Sequence, residues 1–400
     1  MRFPEFDGEW ETKKLAELTS WSSGGTPPKD NPLFWNGDIP WISASSMRGL
    51  LYSDSETKIS KEGLIRGSKL ALKGSLLILV RGSMLFNKIP VGIVAKNVAF
   101  NQDVKSIVVN NYSTPEYILN WFLATESKLL NMVTGTGIGA GKLDLQDLKE
   151  LEVKIPSLPE QKMIASFLSL ITNRIETQNK ILLHYQSLIK NIRNSIFEQK
   201  IRFKNECGNS FSDWNILRLG SIAEKRNTKN KAMEIKTVLS NSATLGIVNQ
   251  VDFFDKEIAN PNNINGYYIV EKDDFVYNPR ISKEAPVGPI SRNKLGDGVM
   301  SPLYMVFRFK EADIDYLEHF FISNIWCQHM ENIANYGARA DRMSFSSVDF
   351  FKMPIPIPEI REQIRIANFL SNIDKKIKTE KAILEQMEMQ KKYLLKQMFV

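Results

Sequence analysis

The sequence predicts an α+β chain that is written twice. Two similar α/β globules are expected, with a pair of long helices packing antiparallel as a coiled coil, the whole related by a pseudo-twofold internal repeat. Three observations predict this: motifs that recur in order about 200 residues apart, a Pro-punctuated segment closing each globule, and a long seam of apolar residues after each such segment.

The repeat comes first. Arg2-Phe3, Trp10 and Leu15 return as Arg202-Phe203, Trp214 and Leu219. Tyr117 with Trp121-Phe122 returns as Tyr316 with Phe320-Phe321, and Glu160-Gln161 returns as Glu362-Gln363. Leu143, Leu145, Leu148, Leu151, Val153 and Ile155-Pro156 are matched by Met343, Phe345, Val348, Phe351, Met353 and Ile355-Pro356. Chance does not keep such an order over a whole chain. Each globule alternates short β-prone runs (76–80, 104–109, 305–309) with turn clusters (22–28, 260–266), and a helix is expected over 115–130. The segments 155–159 and 354–358 hold two and three prolines and are read as non-helical.

The seams come next. Leu168, Ile171, Ile175, Gln178, Leu182, Tyr185, Ile189, Ile192 and Ile196 alternate spacings of three and four, and Leu370, Ile373, Ile377, Glu380, Leu384, Met387, Lys391, Leu394 and Met398 repeat them. A 3-4 spacing held over four heptads marks a coiled-coil stripe, and the polar residue at one equivalent place, Gln178 and Glu380, is of the kind that fixes register. Connectivity makes the pair antiparallel, a rod of roughly 60 Å with a globule at each end and Val400 returning near Met1. The expected divisions are a first globule over 1–157, a helix over 158–200, a second globule over 201–357 and a second helix over 358–400.

Composition narrows the class. With 43% hydrophobic and 24% charged residues, the chain is of ordinary globular type, and no apolar run is long enough to span a bilayer. The first residues lack the apolar stretch of a signal peptide, and two cysteines offer no disulfide framework, so a cytoplasmic location is expected. The net charge of +7 divides as +4 on residues 1–200 and +3 on residues 201–400. An even positive balance suits two similar units holding a polyanion, or simply an ordinary basic protein.

Catalytic signals are weak. Gly135 to Lys142 resembles a phosphate loop but lacks its first glycine, its Ser/Thr and a preceding strand. Asn31-Pro32-Leu33-Phe34 lacks the second proline of a target-base motif and reads as a turn, and no methyl-donor fold signal appears. Asp144, Glu152 and Lys154 have the flavour of a nuclease site, yet the last two alternate with apolar residues as solvent-facing strand residues do. His319, Cys327 and His329 read as lone residues in preference to a metal set. No catalytic residues and no metal site are assigned.

At this point the residues resemble a known family. Arg2-Phe3-Pro4-Glu5-Phe6 to Trp10 with Lys14-Leu15, the Gly24-Gly25-Thr26-Pro27 loop, Asp38-Ile39-Pro40-Trp41-Ile42-Ser43, Asn101-Gln102, and Ile155-Pro156 to Pro159-Glu160-Gln161 together resemble specificity subunits of Type I restriction-modification enzymes. The likeness spans both halves, with Ser240-Asn241-Ser242 and Ser301-Pro302 departing from the pattern in the second copy. It implies two target recognition domains, each reading half of a split, asymmetric sequence in double-stranded DNA. It implies helices that dock two methyltransferase (modification) subunits, joined by restriction (endonuclease/translocase) subunits. It implies no cofactor here, the partners using S-adenosylmethionine, ATP and Mg²⁺. A self-sufficient methyltransferase or nuclease, and a coiled-coil scaffold without DNA contact, are the competing readings.

Base edges are read by Arg or Lys, Asn or Gln, and Ser or Thr, while phosphates take basic groups and backbone amides. On those grounds the first-globule candidates are Thr26, Lys29, Ser43, Ser45 and Arg81, with Asn87, Lys88, Asn101, Gln102 and Lys142. In the second globule they are Asn241, Thr244, Asn278, Arg280 and Ser282, with Lys283, Arg292, Arg339 and Arg342.

Overall fold

The structure is a computed structural model that describes residues 1–137, 139–253, 264–334 and 341–399. Its contacts divide the chain into two units: Met1–Asn179 together with Ala382–Val400, and Lys180–Lys381. Each unit thus holds the beginning of one long helix and the end of the other.

The first unit opens with strand Glu11–Lys14, which pairs antiparallel with Glu152–Ile155, the strand just before the first long helix. Its main sheet has five strands in the order Thr19–Ser23, Val104–Val109, Leu76–Leu79, Val91–Val94 and Leu51–Tyr52. All four residues of Leu76–Leu79 are buried, as expected of a central strand covered on both faces. A second sheet holds Ile39–Ile42 parallel to Val98–Phe100, so the residues after both strands leave from the same end. The helix expected over 115–130 is two helices, Pro115–Ala124 and Glu126–Asn131. The break falls at Thr125, whose hydroxyl donates to the Trp121 carbonyl at 2.8 Å and competes for the helix's own acceptor.

The second unit repeats this frame. Asn215–Arg218 pairs with Pro354–Ile357, and a sheet runs Ala223–Arg226, Met305–Phe309, Phe275–Tyr277, Ile290–Arg292. These four match the first four strands of the five-stranded sheet, with the same antiparallel pairings. Prolines 354 and 356 are accommodated because that strand has one partner only, and a strand edge tolerates a missing donor.

Both long helices have 40 residues, Leu158–Phe197 and Ile360–Phe399. The first begins inside the segment read as non-helical, at Leu158, with Pro159 in its first turn where no amide donor is needed. Within the first unit Ile164 and Leu168 share a core with Leu394, Leu395 and Met398, so start meets end and the helices run antiparallel. The second unit repeats the arrangement with Ile189, Ile196 and Phe197 against Ile366 and Leu370. The predicted seam is the buried stripe in both helices. Near the expected return of the chain end, the Met1 amino group donates to the Gln397 carbonyl; Val400 itself lies outside the described residues.

Equivalent residues tie each globule to its helices. Arg2 makes a two-point ion pair with Glu160 (2.7 and 2.8 Å), and Arg202 does the same with Glu362 (2.9 and 3.0 Å). Tyr117 donates to the Lys154 carbonyl and Tyr316 to the Pro356 carbonyl, and burial pushes both phenols up from their ordinary pKa. Here Leu151, Val153 and Ile155 therefore correspond to Met353, Ile355 and Ile357, two residues beyond the pairing read from the sequence. Gln161 and Gln363 each accept from the amide of the residue that caps an earlier helix, Thr114 before Pro115–Ala124 and Asp313 before Ile314–Ile322.

Candidate nucleic-acid interface

In the first unit the Gly24-Gly25 step lies against the end of Val98–Phe100. A side chain at Gly24 would meet the Phe100 carbonyl oxygen at 2.1 Å, so only glycine lets the two backbones approach. That approach sets Thr26 beside Gln102, whose Oε1 accepts from the Thr26 hydroxyl at 2.6 Å. Ser43 and Ser45 share a hydrogen bond of 3.0 Å on the turn after Ile39–Ile42. Arg81, Gln102 and Lys142 line one groove of about 690 Å³. Lys29, Asn87 and Lys88 are exposed elsewhere on the unit and do not line it.

Asn101 belongs to the scaffold and not to this surface. It is buried, and its Oδ1 accepts from the amides of Asp103 and Val104 at 3.1 Å, holding the loop that presents Gln102. The groove also contains residues that motif reading missed, namely Lys105, Thr136 and Lys149. Lys105 donates to the Ser23 hydroxyl and the Gln102 carbonyl, and partial burial holds its pKa below the usual lysine range. Its polar place in the run Val104–Val109, otherwise apolar but for Ser106, was the available signal.

In the second unit Asn241, Asn278, Arg280 and Ser282 line one cavity of about 380 Å³. Asn241 is buried and donates to the Val276 and Pro289 carbonyls, so it too shapes the site from within. Asn278 donates to the Asn241 carbonyl and accepts from the Arg280 amide, which leaves the exposed Arg280 as the projecting group. Ser240 and Tyr304 add a hydroxyl pair at 3.0 Å that the sequence did not single out.

Thr244, Lys283 and Arg292 line an adjoining groove of about 930 Å³. Arg292 is taken up by Asp273, Asp315 and Glu318, three carboxylates within ion-pair distance, so its charge is already balanced. Arg342 lies in register with Arg280 across a β-bridge, and Arg339 falls outside the described residues.

The segments with catalytic flavour take structural places. Thr134–Thr136 and Ala140–Lys142 form a hairpin, with residue 138 outside the described residues, and Asn31 caps a short turn. Asp144 caps the helix Leu145–Lys149 through the Gln146 amide, while Glu152 and Lys154 are the exposed residues of their strand. His319 bonds the Ser371 hydroxyl and His329 the Asp349 carbonyl.

Two units with one frame and different polar grooves define a duplicated recognition protein. The model of the Type I restriction modification DNA specificity domain matches residues 7–184 and again 211–389. The chain belongs to that family and carries its specificity domain twice. It is 33% identical over 164 residues to the EcoR124I/EcoR124II specificity subunit of Escherichia coli, covering 40% of this chain and 41% of that one. To the MjaIX specificity subunit of Methanocaldococcus jannaschii it is 30% identical, covering 56% of this chain and 53% of that one. The chain thus spans about half or less of these two relatives. A putative MjaX specificity subunit from the same organism is 23% identical over 98% of this chain and 93% of its own length. Among solved structures, the S subunit from M. genitalium superposes with a TM-score of 0.54 at 14% identity, covering 100% and 99% of the two chains. A chain from a study of complex assembly in the type I restriction-modification system gives 0.60 at 14% identity, covering 97% of each. At that identity the likeness speaks for the fold. Among the described residues no helix is long and apolar enough to cross a membrane.

Proposed function

We propose that this chain is the non-catalytic DNA-reading subunit of a Type I restriction-modification enzyme, each unit reading one half of a two-part asymmetric sequence. One observation carries the reading: the ties of Arg2 to Glu160, Thr114 to Gln161 and Tyr117 to Phe399 return as Arg202 to Glu362, Asp313 to Gln363 and Tyr316 to Phe197, while the polar grooves differ. A shared mount with unlike readers suits a site whose two halves have unlike sequences. The long helices are then the docking elements for two methyltransferase subunits, with restriction subunits joining the assembly in the cytoplasm. On this reading S-adenosylmethionine, ATP and Mg²⁺ belong to the partners.

The test has two parts. The purified chain should bind duplex DNA in a salt-sensitive way and transfer no methyl group from S-adenosylmethionine. Adding the modification subunit from the same cell should produce adenine methylation at a split sequence. Methyl transfer by the chain alone would overturn the reading, and so would the absence of DNA binding at any salt concentration.

A further inference from the structure

In the first unit, strands Arg81–Gly82 and Ala140–Lys142 pair antiparallel with Arg81 directly opposite Lys142. In the second, an antiparallel bridge sets Arg280 directly opposite Arg342. Residues so paired share a face of the ribbon with Cβ atoms about 5 Å apart, and like charges in that relation destabilise it. The arrangement is unfavourable for folding, yet it occurs at corresponding places in both copies, the members lying 199 and 200 residues apart.

Compensation within the protein is slight. Lys142 lies 3.5 Å from Asp144, both half exposed to solvent, and Arg342 Nε lies 3.6 Å from Asp341. That Nε is itself buried without a hydrogen-bond partner among the described residues. Arg81 and Arg280 have no ion pair among the described residues. Around them cations still outnumber carboxylates: Arg81, Lys105, Lys142 and Lys149 share their groove with Asp103 and Asp144, while among the described residues no carboxylate lines the cavity of Arg280, beside which Arg342 is placed by the bridge.

We propose that Arg81 with Lys142, and Arg280 with Arg342, are two clamps for DNA backbone phosphates, one in each unit. The inference rests on the DNA-reading function and assigns these four side chains to holding and not to reading. A base edge is read by one side chain presenting a matched set of donors. Two cations facing each other across a ribbon carry no such pattern, but they match the charge shared over the oxygens of a phosphodiester. An anion between them also removes the repulsion that the free protein bears.

The experiment measures binding of the full chain to several 40-bp duplexes of unrelated sequence over a range of salt concentrations. The double variants Arg81→Gln/Lys142→Gln and Arg280→Gln/Arg342→Gln should weaken binding to every duplex by the same factor. Each should make the plot of log affinity against log salt shallower by about one unit, as expected when one phosphate is no longer neutralised. The thermal midpoint of the free variants should be unchanged or higher, because the repulsion is gone, and Lys142→Arg should retain binding. Unchanged affinity and slope in both double variants, with the parent chain binding normally, would overturn the clamps and leave the DNA-reading function intact. A loss confined to one sequence would make these residues base readers and so refute the clamps as well. A loss that follows a fall in thermal midpoint, or unchanged DNA binding with weaker capture of the modification subunit, would equally overturn the proposal.

Discussion

His319 lies buried between the helix Ile314–Ile322 and the long helices, where its counterpart in the first unit is the neutral Asn120. Desolvation, reinforced by the nearby Arg193 charge, pushes its pKa down to about 4. The folded state therefore resists the proton that the unfolded chain takes up near 6.5. Between those values the unfolded state binds more protons, so stability falls as pH drops from about 6.5 towards 4 and is flat above that window. His319→Asn should flatten this part of the profile, read as denaturation midpoint against pH; a parent profile already flat there would contradict it. At this scale the sequence was least legible. Asn101 and Asn241 have the chemistry of adenine readers, but Asn101 turns its Oδ1 to the amides of its own loop, a choice that short polar side chains make by local geometry, and Asn241 donates to the Val276 and Pro289 carbonyls, which only the fold brings to it. Arg292 reads as a free cation until the fold brings Asp273, Asp315 and Glu318 to it from separate parts of the chain.

At the scale of elements the two long helices were legible residue by residue, because a 3-4 seam is a local signal that needs no knowledge of the partner. Their allegiance followed from connectivity, but the contacts that fix it did not, since the partners of each helix end lie far off in sequence. Phe399 packs on Tyr117 with ring centroids 5.0 Å apart, and Phe197 packs on Tyr316 and Phe320 at 5.3 and 5.4 Å. The last turn of each helix thus completes the core of the globule that begins the other. Phe399→Ala and Phe197→Ala should each cost about 3 kcal/mol, the low end for a large side chain deleted from a packed core. Denaturant unfolding of each variant measures it, with hydrogen exchange locating the loss in the first unit for Phe399 and the second for Phe197. A cost below about 1 kcal/mol, well under the range for such a deletion, or losses in the opposite units, would show that the helix ends are not built into these cores.

For the whole molecule, the repeat makes the second globule an exchangeable part with a defined mount. The attachments that hold residues 201–357 to the helices include four that matter here: Arg202 on Glu362, Trp214 donating to Glu362, the Asp313 amide on Gln363, and Tyr316 against Phe197. The first globule uses Arg2, Thr114 and Tyr117 in the corresponding roles, so the mount is a property of the frame and not of what the groove reads. Replacing residues 201–357 by the matching segment of a relative that keeps those four residues should therefore change one half of the methylated sequence and leave the other as it was. A relative lacking the arginine should give a less stable hybrid, because Glu362 is fully buried and a buried carboxylate without its cation costs several kcal/mol. Sequencing of N6-methyladenine in cells carrying the hybrid and its modification subunit reads the outcome. If both halves of the sequence change, or neither does, the two units do not read DNA independently.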